Sequence, residues 1–345
     1  MKKRIIIIAA SIIAAITSIA IISSGILYYI VKSPQITLEE TAYIYIYPHD
    51  NSDSVINKIK EVANPASTLG FKILAQHNKF DSKKRTGKYA IKDKDSWSTI
   101  YSRIISKEQT PVKVVIPSVR NLEQLSKVIS EQLMFDSLTI QEFFTSKVFA
   151  ENLGYTIATF PTLILPNTYE LYWNIEPQQF FSRMMKERKK FWNEERLAKA
   201  KAINMTPEEV ATLASIVDEE TNNNAEKPIV AGLYINRLKR NIPLQADPTV
   251  KFAIGDFTRK RILNADLEIE SPYNTYKNTG LPPGPIRIAT IAGIESVLNH
   301  AKHNYIYMCA KEDFSGTHNF AVTLAEHNAN ARRYQAALNK LNIKK

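Results

Sequence analysis

A single cysteine, Cys309, is all that 345 residues carry, so the chain can form no internal disulfide and no cysteine-based metal cluster. It lies in the apolar run Tyr305–Ala310 and reads as a small buried hydrophobe. No glycine-rich loop of the kind that cradles phosphates is present, and no glycine-flanked serine elbow. Ser215 sits mid-helix without flanking glycines, which argues against a serine nucleophile. The six histidines, His49, His77, His300, His303, His318 and His327, contain no HExxH pair. His300/His303 and His318/His327 could meet in space, but without carboxylates at ligand spacing they read as structural or surface polar groups. No metal and no cofactor are therefore expected. Acidic residues are the minority, 34 Asp and Glu against 45 Lys and Arg, for a formal net charge of +11.

What is present first is a membrane signal. Lys2, Lys3 and Arg4 precede an uncharged run, residues 5–31, rich in Ile and Ala. It exceeds the roughly 20 residues that cross a bilayer as a helix, and is too long for the core of a cleaved leader. Tyr28 and Tyr29 suit an interfacial anchor, and the basic cluster favours a cytoplasmic N-terminus with the bulk of the chain outside the plasma membrane. A basic protein invites a nucleic-acid partner, but an external domain on a membrane stalk argues against one. Anionic lipid headgroups or wall polymers are the expected counterparts. Part of the surplus is local, with eight Lys and Arg against three Glu over Arg183–Lys201, and a solvated helical face explains that stretch.

At 44% hydrophobic and 23% charged residues the remainder reads as globular. Strands are predicted at Thr41–Tyr47, Gly87–Ile91 and Pro111–Ile116, with helices at Ser52–Val62, Pro65–Leu74 and Ser96–Ile105 between them. Turns are predicted around Asp81–Arg85 and Lys92–Asp95. Together these make a small α+β module over residues 38–116, assigned to binding or positioning. From residue 117 onward helices dominate: Asn121–Leu133, Leu138–Phe144 and Pro177–Ala202. Phe160–Trp173 is aromatic and broken by proline. Helices are then predicted at Lys227–Arg237, Thr290–Leu298 and Leu324–Leu341, with a strand at Tyr305–Ala310. Gln245–Thr249 reads as a polar turn. Ser271–Pro285, with four Pro and two Gly, reads as a preformed binding loop carrying Tyr273, Asn274, Thr275 and Tyr276.

The most informative stretch is Thr206–Thr221, TPEEVATLASIVDEET. Thr206 as N-cap, Pro207 at the first helical position and Glu209 three residues on make a capping box. Val210, Leu213, Ala214 and Val217 define a buried stripe, and Glu220 falls beside it while Glu219 points away. A carboxyl held against apolar neighbours keeps its proton near neutral pH and can donate it. The plainer reading is an acidic helix end fraying into solvent.

Five motifs in register carry a resemblance: LASIVDEET at Leu213–Thr221, INRL at Ile235–Leu238, LQADPTV at Leu244–Val250, YNTY at Tyr273–Tyr276 and TGLPPGPI at Thr279–Ile286. Together they resemble the endolytic murein transglycosylases, the YceG-like proteins, most closely over residues 206–341. The resemblance implies an α+β chain: an anchor over residues 1–32, a LysM-like module over residues 38–116 and a larger mixed α/β catalytic domain over residues 117–345. It implies a lytic enzyme that cuts nascent peptidoglycan strands internally, beside the peptidoglycan synthases, and leaves 1,6-anhydroMurNAc ends. Glu220 would be catalytic, acting as acid and then base. Asp218, Gln245, Asp247, Tyr273, Asn274 and Tyr276 are the implied substrate-binding residues. Asp218 stands where the family often has Glu, Asn167 where it usually has Asp, and Ser118-Val119 where Glu-Gly is expected. The alternatives left open are a hydrolase pairing Glu220 with Asp218 or Asp247, and a non-catalytic wall-binding scaffold.

Overall fold

A computed structural model describes residues 2–65, 67–82, 85–258 and 262–340, a mixed α+β chain with an N-terminal apolar helix. Ala66, Lys83, Lys84 and Leu341, which fall in two predicted helices and a predicted turn, lie outside the described residues. The chain divides into two compact units, Met1–Lys113 with Glu170–Ile175, and Val114–Tyr169 with Glu176–Lys345.

In the first unit, α1 (Lys2–Lys32) is long and apolar enough to cross a membrane, and none of its residues is buried. Next come β1 (Ala42–Ile46), α2 (Ser52–Ala63), α3 (Leu69–His77), β2 (Gly87–Ile91) and α4 (Trp97–Ile105). β1 and β2 pair antiparallel from Ala42↔Ile91 to Ile46↔Gly87. Period-2 alternation sends Ile44 and Ile46 inward onto Val55, Ile59, Phe71 and Trp97, while Tyr43 and Tyr45 face outward. Asn51 and Ser96 cap α2 and α4 by accepting backbone N–H groups three residues on. The helix predicted from Pro65 starts only at Leu69, because Asn64 closes α2 in a left-handed conformation (φ 37°) and turns the chain first.

β3 (Val112–Ile116) leads toward the second unit and pairs with β4 (Asn167–Leu171). Between them run α5 (Leu122–Ser130), α6 (Ser137–Thr145), α7 (Lys147–Asn152) and a 3₁₀ turn at Phe160–Leu163. The long helix predicted over Pro177–Ala202 is two, α8 (Pro177–Phe191) and α9 (Glu194–Ala202). Asn193 breaks it, its side chain accepting from the Arg196 N–H and so capping a new helix. Then follow α10 (Pro207–Glu220), α11 (Lys227–Lys239), α12 (Asp247–Ile254), a 3₁₀ turn at Asn264–Glu268, α13 (Ile291–Leu298), β5 (Tyr307–Ala310), β6 (His318–Ala321) and α14 (Leu324–Lys340). The turn predicted at Gln245–Thr249 is in fact the start of α12, with Pro248 in the first turn, where its missing N–H costs nothing.

α10 is the centre of this unit. Every residue from Val210 to Asp218 is buried, so the expected stripe is an all-round core helix. Val210, Leu213, Ala214 and Val217 pack with Val230, Leu233 and Tyr234 of α11 and with Ile294 and Val297 of α13. The Ser215 hydroxyl near its middle is satisfied twice: it donates to the Thr212 carbonyl and accepts from the Ile286 N–H. The second bond fastens the end of the proline-rich loop to the core helix.

Candidate active site

Glu220 is the last residue of α10, held at the rim of the core by a helix whose start is firmly fixed. The capping box forms in both directions, the Thr206 hydroxyl accepting from the Glu209 N–H at 3.2 Å and the Glu209 carboxylate from the Thr206 N–H at 2.8 Å. At the far end, Tyr234 of α11 donates its hydroxyl to Glu220 Oε1 at 2.6 Å. The carboxyl is half-buried, closed in by protein on the core side and open toward a groove. Burial pushes its pKa up to about 7; the Tyr234 hydrogen bond opposes this, the Asp247 and Glu219 charges add to it, and Lys251 draws it down. Burial also pushes the Tyr234 phenol well above its ordinary range, so it stays a neutral donor.

Gln245 lies across the groove in a left-handed conformation (φ 53°) that a non-glycine residue adopts only under constraint. Arg237 supplies that constraint. Its guanidinium donates to the Pro243 carbonyl at 2.8 Å, the Ile306 carbonyl at 2.7 Å and Gln245 Oε1 at 2.5 Å. Asp247 opens α12, and its carboxylate accepts the Tyr276 hydroxyl at 2.5 Å. Tyr276 is placed by the proline-rich loop: the Asn274 amide donates to the Leu267 and Ile269 carbonyls, and its oxygen accepts the Tyr276 N–H. Thr275 bonds the Ala246 N–H and the Thr249 hydroxyl, tying the loop to the start of α12.

Two cavities meet at Glu220 and Asp247, which among the described residues are the ones lining both. One, of about 370 Å³, is bordered by Tyr234, Arg237, Gln245, Tyr276, Tyr307, His318 and His327. The other, of about 770 Å³, is bordered by Arg120, Glu219, Pro248, Lys251, Leu263 and Tyr334. Glu219 takes a bidentate grip from Arg120, at 2.7 and 2.8 Å, and a third bond from Arg287 at 3.0 Å. The result is an open groove with one proton-holding carboxyl at its middle.

Of the seven site residues the sequence nominates, Glu220, Gln245, Asp247 and Tyr276 come together on this groove. Three do not reach it. Asp218 is buried in the core, where it accepts from Lys227 Nζ at 2.7 Å, the Thr290 N–H at 2.7 Å and the Thr290 hydroxyl at 2.9 Å. Asn274 is fully buried, its amide engaged by the loop it shapes. Tyr273 packs its ring on Phe252 with centroids 4.7 Å apart. Asp218 and Asn274 thus have their polar groups engaged within the frame, and Tyr273 packs against it. Tyr234, Arg237, Lys251 and Tyr307 are groove residues that the sequence did not single out, and His318 and His327, read there as structural or surface polar groups that could meet, line the smaller cavity. His318 is fixed by Glu226, whose carboxylate accepts its backbone N–H at 2.7 Å and lies 3.1 Å from Nδ1. Among the described residues, no three His, Cys, Asp or Glu side chains converge as metal ligands would.

Comparison with known proteins matches the YceG-like family over residues 44–333. An endolytic murein transglycosylase of Bacillus subtilis is 45% identical over 129 residues, covering 37% of this chain and 35% of that protein. One from Streptococcus pneumoniae strain D39 is 28% identical over 228 residues, covering 59% of this chain and 41% of its own length. The chain thus matches well under half the length of these curated relatives. A yceG-like protein from Listeria monocytogenes shares the fold, with a TM-score of 0.57 at 24% identity over 85% of this chain and 99% of that one.

Proposed function

The chain belongs to the YceG-like family, and from that premise we propose that it is a membrane-anchored endolytic peptidoglycan transglycosylase with Glu220 as its acid and base. The observation that carries this reading is a carboxyl with its pKa raised to about 7 at the meeting point of two groove arms, of about 370 and 770 Å³. Protonated Glu220 donates to the oxygen between MurNAc and GlcNAc as the C1–O bond breaks and C1 gains oxocarbenium character. The resulting carboxylate takes the proton of the MurNAc C6 hydroxyl, whose oxygen bonds to C1 and closes the 1,6-anhydro ring. The proton count on Glu220 is restored without water or a metal. Tyr234, bonded to Oε1, is the positioning residue that leaves Oε2 for the substrate. Gln245, Asp247 and Tyr276 then hold sugar hydroxyl and acetamide groups.

In this reading α1 is the anchor, with its N-terminus cytoplasmic and the rest on the external face, near the synthases that produce the strands. The part over residues 38–116 is a LysM-like module, and residues 117–345 form the catalytic domain. A hydrolase would use Asp247 as second carboxylate, since Asp218 is already engaged in the core. Mass spectrometry of digested peptidoglycan separates the two: 1,6-anhydroMurNAc ends are expected, and reducing ends alone would overturn the lytic reaction.

The pH dependence follows from the same geometry. The donor form of Glu220 is the protonated one, so turnover is expected to fall as pH rises through about 7. The Tyr234 hydrogen bond favours the charged carboxylate, so Tyr234→Phe raises the pKa further and moves the alkaline limb to higher pH. Peak turnover should drop about tenfold as the carboxyl loses its orientation. A pH–rate profile with the alkaline limb unmoved would rule out this role for Tyr234.

A further inference from the structure

The two arms of the groove differ in whether their cations are already engaged. In the smaller arm the one guanidinium, Arg237, has its donors committed to Pro243, Ile306 and Gln245, and Tyr276, Tyr307 and His318 complete an aromatic wall. In the larger arm Glu219 is gripped by two arginines, Arg120 and Arg287, so its negative charge is more than offset. Lys251 lines this arm, half-buried on α12, and its ammonium makes no hydrogen bond or ion pair among the described residues. It does not pair even with Asp247, one turn earlier on the same helix, whose carboxylate is bonded instead by Tyr276. A half-buried ammonium without a counter-ion gives up hydration and gains no partner, a deficit that an incoming anion removes.

We propose that the Lys251 arm receives the MurNAc side of the strand, its ammonium pairing with a carboxylate of the stem peptide, and that the smaller, aromatic arm, whose one guanidinium is already engaged, receives the GlcNAc side. This rests on the transglycosylase reading above. The chemistry of the strand supplies the match: MurNAc carries its peptide, with free carboxylates, on the lactyl group, whereas GlcNAc is uncharged. The pairing fixes the direction in which the strand lies across Glu220 and makes the stem peptide a determinant of which bond is cut. Lys251 also acts on Glu220 through its charge, which lowers the carboxyl pKa, and the two effects differ in their readout. An effect through Glu220 moves the pH profile equally for every strand. An effect through the peptide depends on whether the peptide is there.

The test compares the full-length protein in detergent with Lys251→Glu and Lys251→Arg on two probes, peptide-bearing glycan strands and the same strands stripped of peptide by an amidase. Each is assayed at the pH optimum of the variant used. The Lys251→Glu change is expected to lower kcat/KM on peptide-bearing strands about tenfold more than on stripped ones, with Lys251→Arg close to wild type. Added salt should reduce the wild-type preference for peptide-bearing strands. Equal losses on both probes would overturn the proposal and leave Lys251 acting through Glu220 alone. Failure of wild type to release anhydro ends from either probe would count against the reaction instead. Binding of the two strands to wild type and Lys251→Glu then decides the proposal directly, equal affinities overturning it.

Discussion

Glu220→Gln is expected to lower turnover by a factor on the order of 10³ or more, while the fold and strand binding persist. Glutamine has the same length and shape, and its amide oxygen can still accept the Tyr234 hydroxyl that now meets Oε1 at 2.6 Å. The N-terminal cap of α10 and its all-round packing lie away from the substituted atom, so the helix keeps its position. What is lost is the exchangeable proton. An amide neither protonates the leaving oxygen nor takes the C6 hydroxyl proton, so both halves of the proposed cycle fail together. The readout is anhydro product by mass spectrometry, with circular dichroism and strand binding as controls. Retention of more than about a tenth of wild-type turnover would move the acid elsewhere, first to Asp247, the other carboxylate common to both cavities. A scaffold reading predicts a different pattern, no turnover in either protein and an unchanged phenotype in cells.

The contrast between Glu220 and its neighbours shows which parts of the site were legible in the sequence. Helix signals act over three or four residues, and there the reading holds: the box at Thr206 and Glu209, the first-turn proline and the burial of Val210, Leu213, Ala214 and Val217 are all as expected. Glu220 at the edge of that apolar set follows from the same geometry. Contacts between distant segments leave no such trace. Tyr234, 14 residues on, lies inside the predicted helix Lys227–Arg237, and nothing local marks it as the partner of Glu220. Arg237 closes the predicted helix Lys227–Arg237, and nothing near it in sequence points to Ile306, 69 residues away, whose carbonyl accepts from it. A pairing the sequence does leave open is that of His318 and His327, and the β5–β6 hairpin and α14 carry both to the wall of one cavity.

The proline-rich loop misleads in a different way. Asn274 and Tyr273 have the chemistry of ligand-binding groups, but a loop of fixed shape needs internal hydrogen bonds and packing of its own. The residues best suited to bind sugar are used first to hold Tyr276 in place. Proline likewise signals a break from sequence alone, yet Pro248 belongs to the first turn of α12, and that helix is what presents both Asp247 and Lys251 to the groove.

Asp218 is the position where charge and burial were furthest from expectation, and its removal should have the largest effect on stability. Its carboxylate is almost inaccessible, with 1% of the side chain exposed, and Lys227 beside it is 8% exposed. Three donors converge on it: the Lys227 ammonium, and the N–H and hydroxyl of Thr290. Thr290 is the N-cap of α13, so the anion also sits at the positive end of that helix. Gly293 completes the fit, since a β-carbon there would come within 2.6 Å of the Asp218 oxygens. Asp218→Ala leaves Lys227 charged and buried with no partner, which costs about 3–5 kcal/mol. Asp218→Ala combined with Lys227→Met removes both charges and should recover a large part of that loss, because the unpaired ammonium, not the missing attraction, dominates the penalty. Hydrogen exchange on the full chain, followed by mass spectrometry over α10 and the start of α13, reads the change locally. Amides of Thr290 to Ile294 should exchange on the order of a hundredfold faster in Asp218→Ala, and substantially slower again in the double variant. Were the single and double variants to exchange alike, the burial of an uncompensated charge would not be what Asp218 prevents. Its contribution would then lie in capping α13, which both variants lose.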